Sequence, residues 1–300
     1  AVHLVLSVGN VMSIPPMDVL DKLFTEGHVC LLQLNPYDDY LGPFLEELFE
    51  EFLEAGFLEI AHGGEDVGAY LVAHEDVDQI HLTGSDKTYE AIVYGPGEEG
   101  AERKERDDPR TEQRVTSALG NISPVIVVPG PWSEEDIAYH AESIATQVVN
   151  NAGFNCNAVQ VLITPKGWEG RGPLVDAIRD QLADIPTRPG FYPGSYRRHE
   201  RFAEYYPQFE AIGVDSGERL PWGLVPDVDA SETDSLCFTT ETFCGVMCET
   251  VLDAPDPGYF LARAVDFCNE IIWGNLNACI VAHPDVAQPH HESVERAIAD

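Results

Sequence analysis

An alternation limits what this chain can fold into. Short apolar runs, VHLVLSV (2–8), HVCLLQL (28–34), FLEIAH (57–62) and VDQIHLTGS (77–85), are separated by the amphipathic stretches PMDVLDKLFTEG (16–27), PFLEELFEEFLEAGF (43–57) and EDVGAYLVAH (65–74). Runs rich in Val, Leu and Ile suit strands buried on both faces, and parallel neighbours need helical crossovers between them. The pattern predicts βα units around a parallel sheet. The acids of 43–57 read as the solvated face of a single helix. The mixed pattern continues beyond residue 120, with strands predicted over 123–130, 158–163, 246–252 and 278–282. Helices are predicted over 132–153, 172–184, about 197–206 and 257–270, the first capped by Ser133 and closed by glycine. Residues 96–113 (PGEEGAERKERDDPRTEQ) read as a mobile loop, and 205–236, rich in Pro, Gly and Asp, as an irregular connection. No internal repeat is present.

Composition narrows the function classes. A chain of 300 residues is long enough for two domains and a sizeable core. Its 52 acids against 17 bases leave a net charge of −35, which argues against nucleic acid and anionic membrane as partners. With 44% hydrophobic residues the chain can bury a core, so disorder is rejected. A carboxylate-rich surface of this kind predicts a halophilic protein, because concentrated salt screens the self-repulsion. Seven cysteines without tight spacing do not make a secreted disulfide framework. No run approaches the ~20 apolar residues of a membrane span, and no signal peptide is present, so a cytoplasmic protein is expected. The chain opens inside an apparent strand without an initiator Met, and is expected to be a piece of something longer.

The familiar P-loop, zinc and hydrolase motifs are missing: no GxxxxGK[ST], HExxH or GxSxG. Cys244 and Cys248, with His283, His290 and His291 farther on, lack a second close pair, so no metal is expected. Gly64–Gly68 and Thr83–Ser85 each open a helical stretch after a strand, where backbone N–H groups could face an anion. Either is a weak signal alone, since such glycines commonly just make turns. Cys156, in NNAGFNCNAV (150–159), is either a small buried side chain or a nucleophile. The other six cysteines read as packing residues.

Taken together, five segments resemble the aldehyde dehydrogenase superfamily, in its order and along nearly the whole chain. GNVMSIPP (9–16) resembles its asparagine-bearing strand end, LTGS (82–85) its F-T-G-S turn, and SALGNISPVIV (117–127) its E-L-G-G-K-S-P stretch. NAGFNCNA (151–158) resembles N-x-G-Q-x-C, and ETFCGV (241–246) resembles E-x-F-G-P. The resemblance implies an α/β fold with a Rossmann-type parallel-sheet cofactor domain over 1–122, lacking its N-terminal part. An α/β catalytic domain over 123–300 would lack its C-terminal part. It implies Cys156 as the nucleophile that forms a thiohemiacetal and then a thioester, with the Asn10 amide and the Cys156 N–H as oxyanion donors. Glu241 would hold the nicotinamide ribose, with Phe243 beside it. Gly64, Gly68, Gly84, Ser85 and Leu119 would lie along the cofactor. Gln33 stands where the family often has a lysine for the adenosine ribose, and Pro36 where an acid could read it. The implied cofactor is NAD or NADP, with NAD favoured. The partner is a small-molecule aldehyde, and the full-length form is expected to be a homo-oligomer. Ala118 replaces the glutamate that serves as general base, and a methyl group cannot accept a proton. That departure keeps an alternative open: a non-catalytic paralogue or truncated remnant that binds nucleotide or a partner chain.

Overall fold

The computed structural model describes residues 1–214 and 216–300. They divide into two compact units, Ala1–Gly120 and Asn121–Asp300.

The first unit runs β1 (Val2–Leu6), α1 (Ile14–Phe24), β2 (Val29–Leu34), α2 (Gly42–Leu48), α3 (Glu50–Glu54), β3 (Leu58–His62), α4 (Glu65–Val72), β4 (Gln79–Gly84), α5 (Asp86–Val93), α6 (Gly97–Glu105) and β5 (Arg114–Leu119). Its sheet has the order β3-β2-β1-β4-β5, every pairing parallel. The order reverses at β1, so the carboxyl ends of β1 and β4 flank a crevice, the usual ligand position in open α/β sheets. Both faces are covered. Val5, Leu32 and Leu34 pack with Val19 of α1 and with Leu45, Phe49 and Leu58, while Leu4, Leu6, Ile80 and Leu82 form the core of the opposite face.

Two expectations for this unit are corrected. The single helix over 43–57 is two, because Phe49 leaves helical geometry at φ −108°, ψ 18° as its ring turns into the core. The predicted loop over 96–113 contains α6. That helix has almost no apolar face, but Arg103 reaches Glu99 (3.4 Å) and Asp108 (3.2 Å), and Lys104 reaches Glu90 of α5 (2.5 Å). Such pairs contribute a few tenths of a kcal/mol each.

The second unit runs β6 (Ser123–Val127), α7 (Glu134–Val149), β7 (Val159–Pro165), α8 (Arg171–Asp184), α9 (Ser195–Tyr205), β8 (Glu210–Ile212), β9 (Trp222–Val228), α10 (Leu236–Thr239), β10 (Val246–Leu252), α11 (Pro257–Glu270), β11 (Cys279–Val281), α12 (Pro284–Ala287) and α13 (His291–Ala299). Its sheet order is β11-β6-β7-β10-β9-β8, parallel except for β8 against β9. Ser133 and Asp136 form a reciprocal capping box on α7. The irregular connection predicted over 205–236 holds β8 and β9. Strand β9 carries Pro226 and Asp227, the latter at φ 53° beside a register shift against β10, so its local composition looks like a loop. Pairing with β10 makes it a strand. At the carboxyl end of this sheet Glu249 is fully buried. It accepts from Arg171 Nε and Nη2 (2.8 Å each), Thr164 Oγ1 (2.7 Å) and the Asp227 N–H (3.1 Å). No helix among the described residues is long and apolar enough to cross a membrane.

Candidate active site

The site residues expected in the first unit gather at the carboxyl edge of its sheet. Asn10 follows β1 and is buried, Gln33 is the penultimate residue of β2, and Leu119 ends β5. Gly64 follows β3 and caps α4, and Gly84 ends β4. Ser85 caps α5, its hydroxyl accepting from the Thr88 N–H at 3.1 Å. The start of α4 is open: a Cβ on Gly64 would meet nothing nearer than 3.6 Å, and one on Gly68 nothing nearer than 3.8 Å. Free N–H groups at such a start attract an anion, although Glu65 and Asp66 in the first turn already take part of that field.

The Gln33 side chain is committed within the fold. Its amide nitrogen donates to the carbonyls of Gly63 (2.5 Å) and Leu34 (3.1 Å), tying β2 to the loop after β3. The sequence did not single out Asp38. It lies just beyond β2, is 3% exposed, and its Oδ2 has no hydrogen-bond partner among the described residues. Burial pushes its carboxyl above the usual range. The signal that could have found it is its place, an acid shortly after the second strand of a βαβ unit.

In the second unit the candidates meet at the amino edge of the sheet, in the loops that enter β6, β7, β10 and β11. After Val149 the chain takes left-handed geometry at Asn151 (φ 51°), Ala152 (φ 57°) and Gly153 (φ 79°). Asparagine tolerates this region better than most residues, and the amides close the turn locally: Asn151 Nδ2 donates to the Phe154 carbonyl (3.3 Å) and to Asn155 Oδ1 (3.2 Å). Gly153 has a second constraint. A Cβ there would stand 2.4 Å from the Gly245 nitrogen and 2.7 Å from the Cys244 carbonyl carbon. The NAGFNC and FCGV segments are therefore packed backbone to backbone.

Cys156 emerges from this turn half-buried. Its carbonyl accepts from Ser123 Oγ (3.3 Å), and Ser123 Oγ also donates to Asn277 Oδ1 (2.8 Å). The Asn121 side chain reaches Ser123 and Asn277, and the Asn121 backbone N–H donates to Glu241 Oε1 (3.1 Å). Gln160, buried in β7, donates to the Asn121 carbonyl (2.8 Å) and accepts from the Thr242 N–H (2.7 Å). Glu241 and Cys156 thus belong to one polar network. Burial first, and the Glu241 charge second, push the Cys156 thiol up; the N–H groups of Cys156 and Asn157 facing the sulfur pull it down. The thiol is therefore harder to ionise than an exposed one.

Phe243 stands at φ 40°, a left-handed position that costs a non-glycine residue about 1–2 kcal/mol. Arg198 holds it there, with Nε on the Thr242 carbonyl and Nη2 on the Phe243 carbonyl, both at 3.0 Å, and its guanidinium 5.8 Å above the ring. The ring packs edge-on to Tyr192 at 5.0 Å. Asn121, Ser123, Gln160, Arg198 and Asn277 were not picked out from the sequence. Buried polar residues inside apolar runs, such as Gln160 in VQVLI, were the available signal. Ala118, expected at the missing base, is exposed on β5. The remaining cysteines are buried or half-buried, and burial raises Cys244 and Cys268 each to about 12.

Comparison with known proteins gives a consistent set of relatives. Residues 32–194 match the model of the aldehyde dehydrogenase family. An aldehyde dehydrogenase of a Fusarium species, LUC3, is 26% identical over 180 residues, 59% of this chain and 34% of that protein. A protein of a Pseudomonas species described as a probable aldehyde dehydrogenase is 25% identical over 187 residues, 62% of this chain and 35% of that protein. Among solved structures, an NAD-dependent aldehyde dehydrogenase from Sinorhizobium meliloti superposes with a TM-score of 0.74 at 19% identity, over 97% of this chain and 57% of that one. An indole-3-acetaldehyde dehydrogenase solved with NAD+ gives 0.74 at 17% identity, over 98% of this chain and 58% of that one. The chain thus aligns with about a third of the length of these curated relatives and spans little more than half of these solved chains.

Proposed function

The chain belongs to the aldehyde dehydrogenase family, and from that premise we propose that it oxidises a small-molecule aldehyde through Cys156, with NAD or NADP as cofactor. The unit Ala1–Gly120 would hold the cofactor and the unit Asn121–Asp300 would supply the nucleophile. What supports this most is the place of Cys156: a half-buried thiol just beyond a left-handed turn, in one hydrogen-bonded network with Glu241.

The thiolate adds to the aldehyde carbon to give a thiohemiacetal. The developing oxyanion needs preorganised donors, each typically worth ~3–4 kcal/mol. The Cys156 N–H and the Asn10 amide are the candidates. A bound NAD or NADP would supply the hydride acceptor, and Cys156 would be left carrying the acyl group as a thioester. Release then needs water or a thiol, and Ala118 offers no base.

The donor set of the first unit suits a dinucleotide. The open start of α4 and the turn at Gly84–Ser85 suit the pyrophosphate, and the orphaned Asp38 oxygen suits a ribose hydroxyl. A carboxylate there repels a 2′-phosphate, which favours NAD. Asp38 takes this role better than Gln33, whose amide nitrogen is already engaged. Glu241 and Phe243 remain the candidates for the nicotinamide end. The excess of acids supports a concentrated-salt cytoplasm as the setting, and the full-length form is expected to pair with itself.

Rapid mixing of enzyme, NAD and aldehyde tests the proposal. A burst of one equivalent of NADH per chain is expected, lost in Cys156→Ala. Slow steady turnover should rise by ~10²–10⁴ in Ala118→Glu, the usual worth of a positioned base. Absence of a burst across aliphatic and aromatic aldehydes would leave the second reading, a nucleotide-binding relative without turnover, which the missing base favours.

A further inference from the structure

Among the described residues, His3, Glu26 and His28 bring their ligand atoms together in one place that the proposed reaction does not use. They sit at the amino edge of the first unit's sheet, the opposite edge from Asn10, Gly64 and Gly84. His3 is in β1 and wholly buried, Glu26 lies just after α1, and His28 immediately precedes β2. His3 Nδ1 and His28 Nδ1 are 3.2 Å apart, and Glu26 Oε2 stands 3.9 Å from the first and 3.7 Å from the second. A triangle with those sides has a centre about 2.1 Å from each corner, which is the Zn–N and Zn–O bond length. We propose that His3, Glu26 and His28 form a binding site for a divalent transition metal, with Zn²⁺ the leading ion and a fourth position left for water.

The surroundings fit this reading. Two imidazoles that meet nitrogen to nitrogen can share only one proton, whereas a metal uses both lone pairs. His3 is wholly buried, a setting that disfavours a charged ring, and a ligand must be neutral. With Nδ1 on the metal, the proton sits on Nε2, a buried atom with no other partner among the described residues. Lys22 Nζ bonds Glu26 Oε1 at 2.8 Å, which fixes the carboxylate and leaves Oε2 towards the rings. Two cations oppose a dication. Lys22 is offset by Asp21 at 2.9 Å, and Arg114 competes for Glu26 Oε2 from 3.5 Å with a side chain that is 63% exposed and can swing away. The net charge of −35 favours any cation. A bound ion would staple the start of β1, the end of α1 and the entry to β2, closing the first βαβ unit.

The test uses the whole 300-residue chain, stripped with EDTA and kept reduced, titrated with Co²⁺ and then Zn²⁺. One equivalent of Co²⁺ should give visible d–d bands without a thiolate charge-transfer band, and Zn²⁺ should displace it. His28→Gln and Glu26→Gln should each weaken binding about 100-fold or more, since each removes a direct ligand where even outer-shell losses cost 10–100-fold. Arg114→Met, which removes only the competitor, should tighten it. Zn²⁺ should raise the melting temperature of the parent and not of the ligand variants. Thiolate bands, binding unchanged in His28→Gln, or only weak binding common to parent and variants would overturn the proposal. Should His28→Gln fail to fold, the parent spectrum and the Arg114→Met titration still decide.

Discussion

Replacing Gly153 by alanine should damage the second unit out of proportion to one methyl group. Two costs add. Alanine at φ 79° is left-handed, which costs about 1–2 kcal/mol. The new Cβ would also stand 2.4 Å from the Gly245 nitrogen and 2.7 Å from the Cys244 carbonyl carbon. Real Cβ atoms need about 1 Å more, and the obstacle is backbone at the entry to β10, so one loop must shift. Overpacking of this kind costs typically ~1–3 kcal/mol. The sum is about 2–5 kcal/mol, or roughly 5–15 °C in melting temperature for a unit of this size. The shift falls between Cys156 and Phe243, so the alkylation rate of Cys156 by iodoacetamide, read peptide by peptide, should change as well. Gly172→Ala is the control: it lies in α8 with nothing within 4 Å of the added atom, and should be neutral or stabilising by up to ~1 kcal/mol. Melts of the three proteins in molar KCl decide it. A loss under about 2 °C in Gly153→Ala, with unchanged Cys156 reactivity, would refute the backbone-to-backbone packing.

Glu241→Gln removes a negative charge that raises the Cys156 thiol while keeping an oxygen for the Asn121 N–H. The thiol pKa should fall, and the pH profile of Cys156 alkylation should move to lower pH; an unmoved profile would place Glu241 too far away to matter. Arg171→Met strands the fully buried Glu249 without its bidentate partner and should cost about 3–5 kcal/mol in denaturant unfolding. Arg171→Met/Glu249→Leu should recover most of that loss, and a single variant within 1 kcal/mol of the parent would show that the pair holds nothing.

Much of the fold can be read locally. The strand at 246–252 and the helix at 257–270 stand where the periodicity places them. The parallel sheet of the first unit follows from strands buried on both faces, because such strands carry apolar residues at nearly every position. Local composition fails where a partner makes the element. Strand β9 contains a proline and a left-handed aspartate and exists through its pairing with β10. Helix α6 depends on charge pairs, one of them to α5. The same division holds at the sites. Cys156, Glu241 and Phe243 stood out through a motif resemblance. The network that joins Cys156 to Glu241 did not: Asn121 meets Asn277 across 156 positions and Glu241 across 120. His3 was hidden inside VHLVLSV, where one polar residue in an apolar run reads as noise. It became a candidate ligand only because β1 and β2 lie side by side and in parallel, which sets their first residues, and the end of the helix between them, against one another. Sequence alone determined the alternation of strand and helix, since burial of each short segment is written in its own residues. Which polar atoms face one another depends on contacts between segments far apart in the chain, and only the tertiary structure decided that.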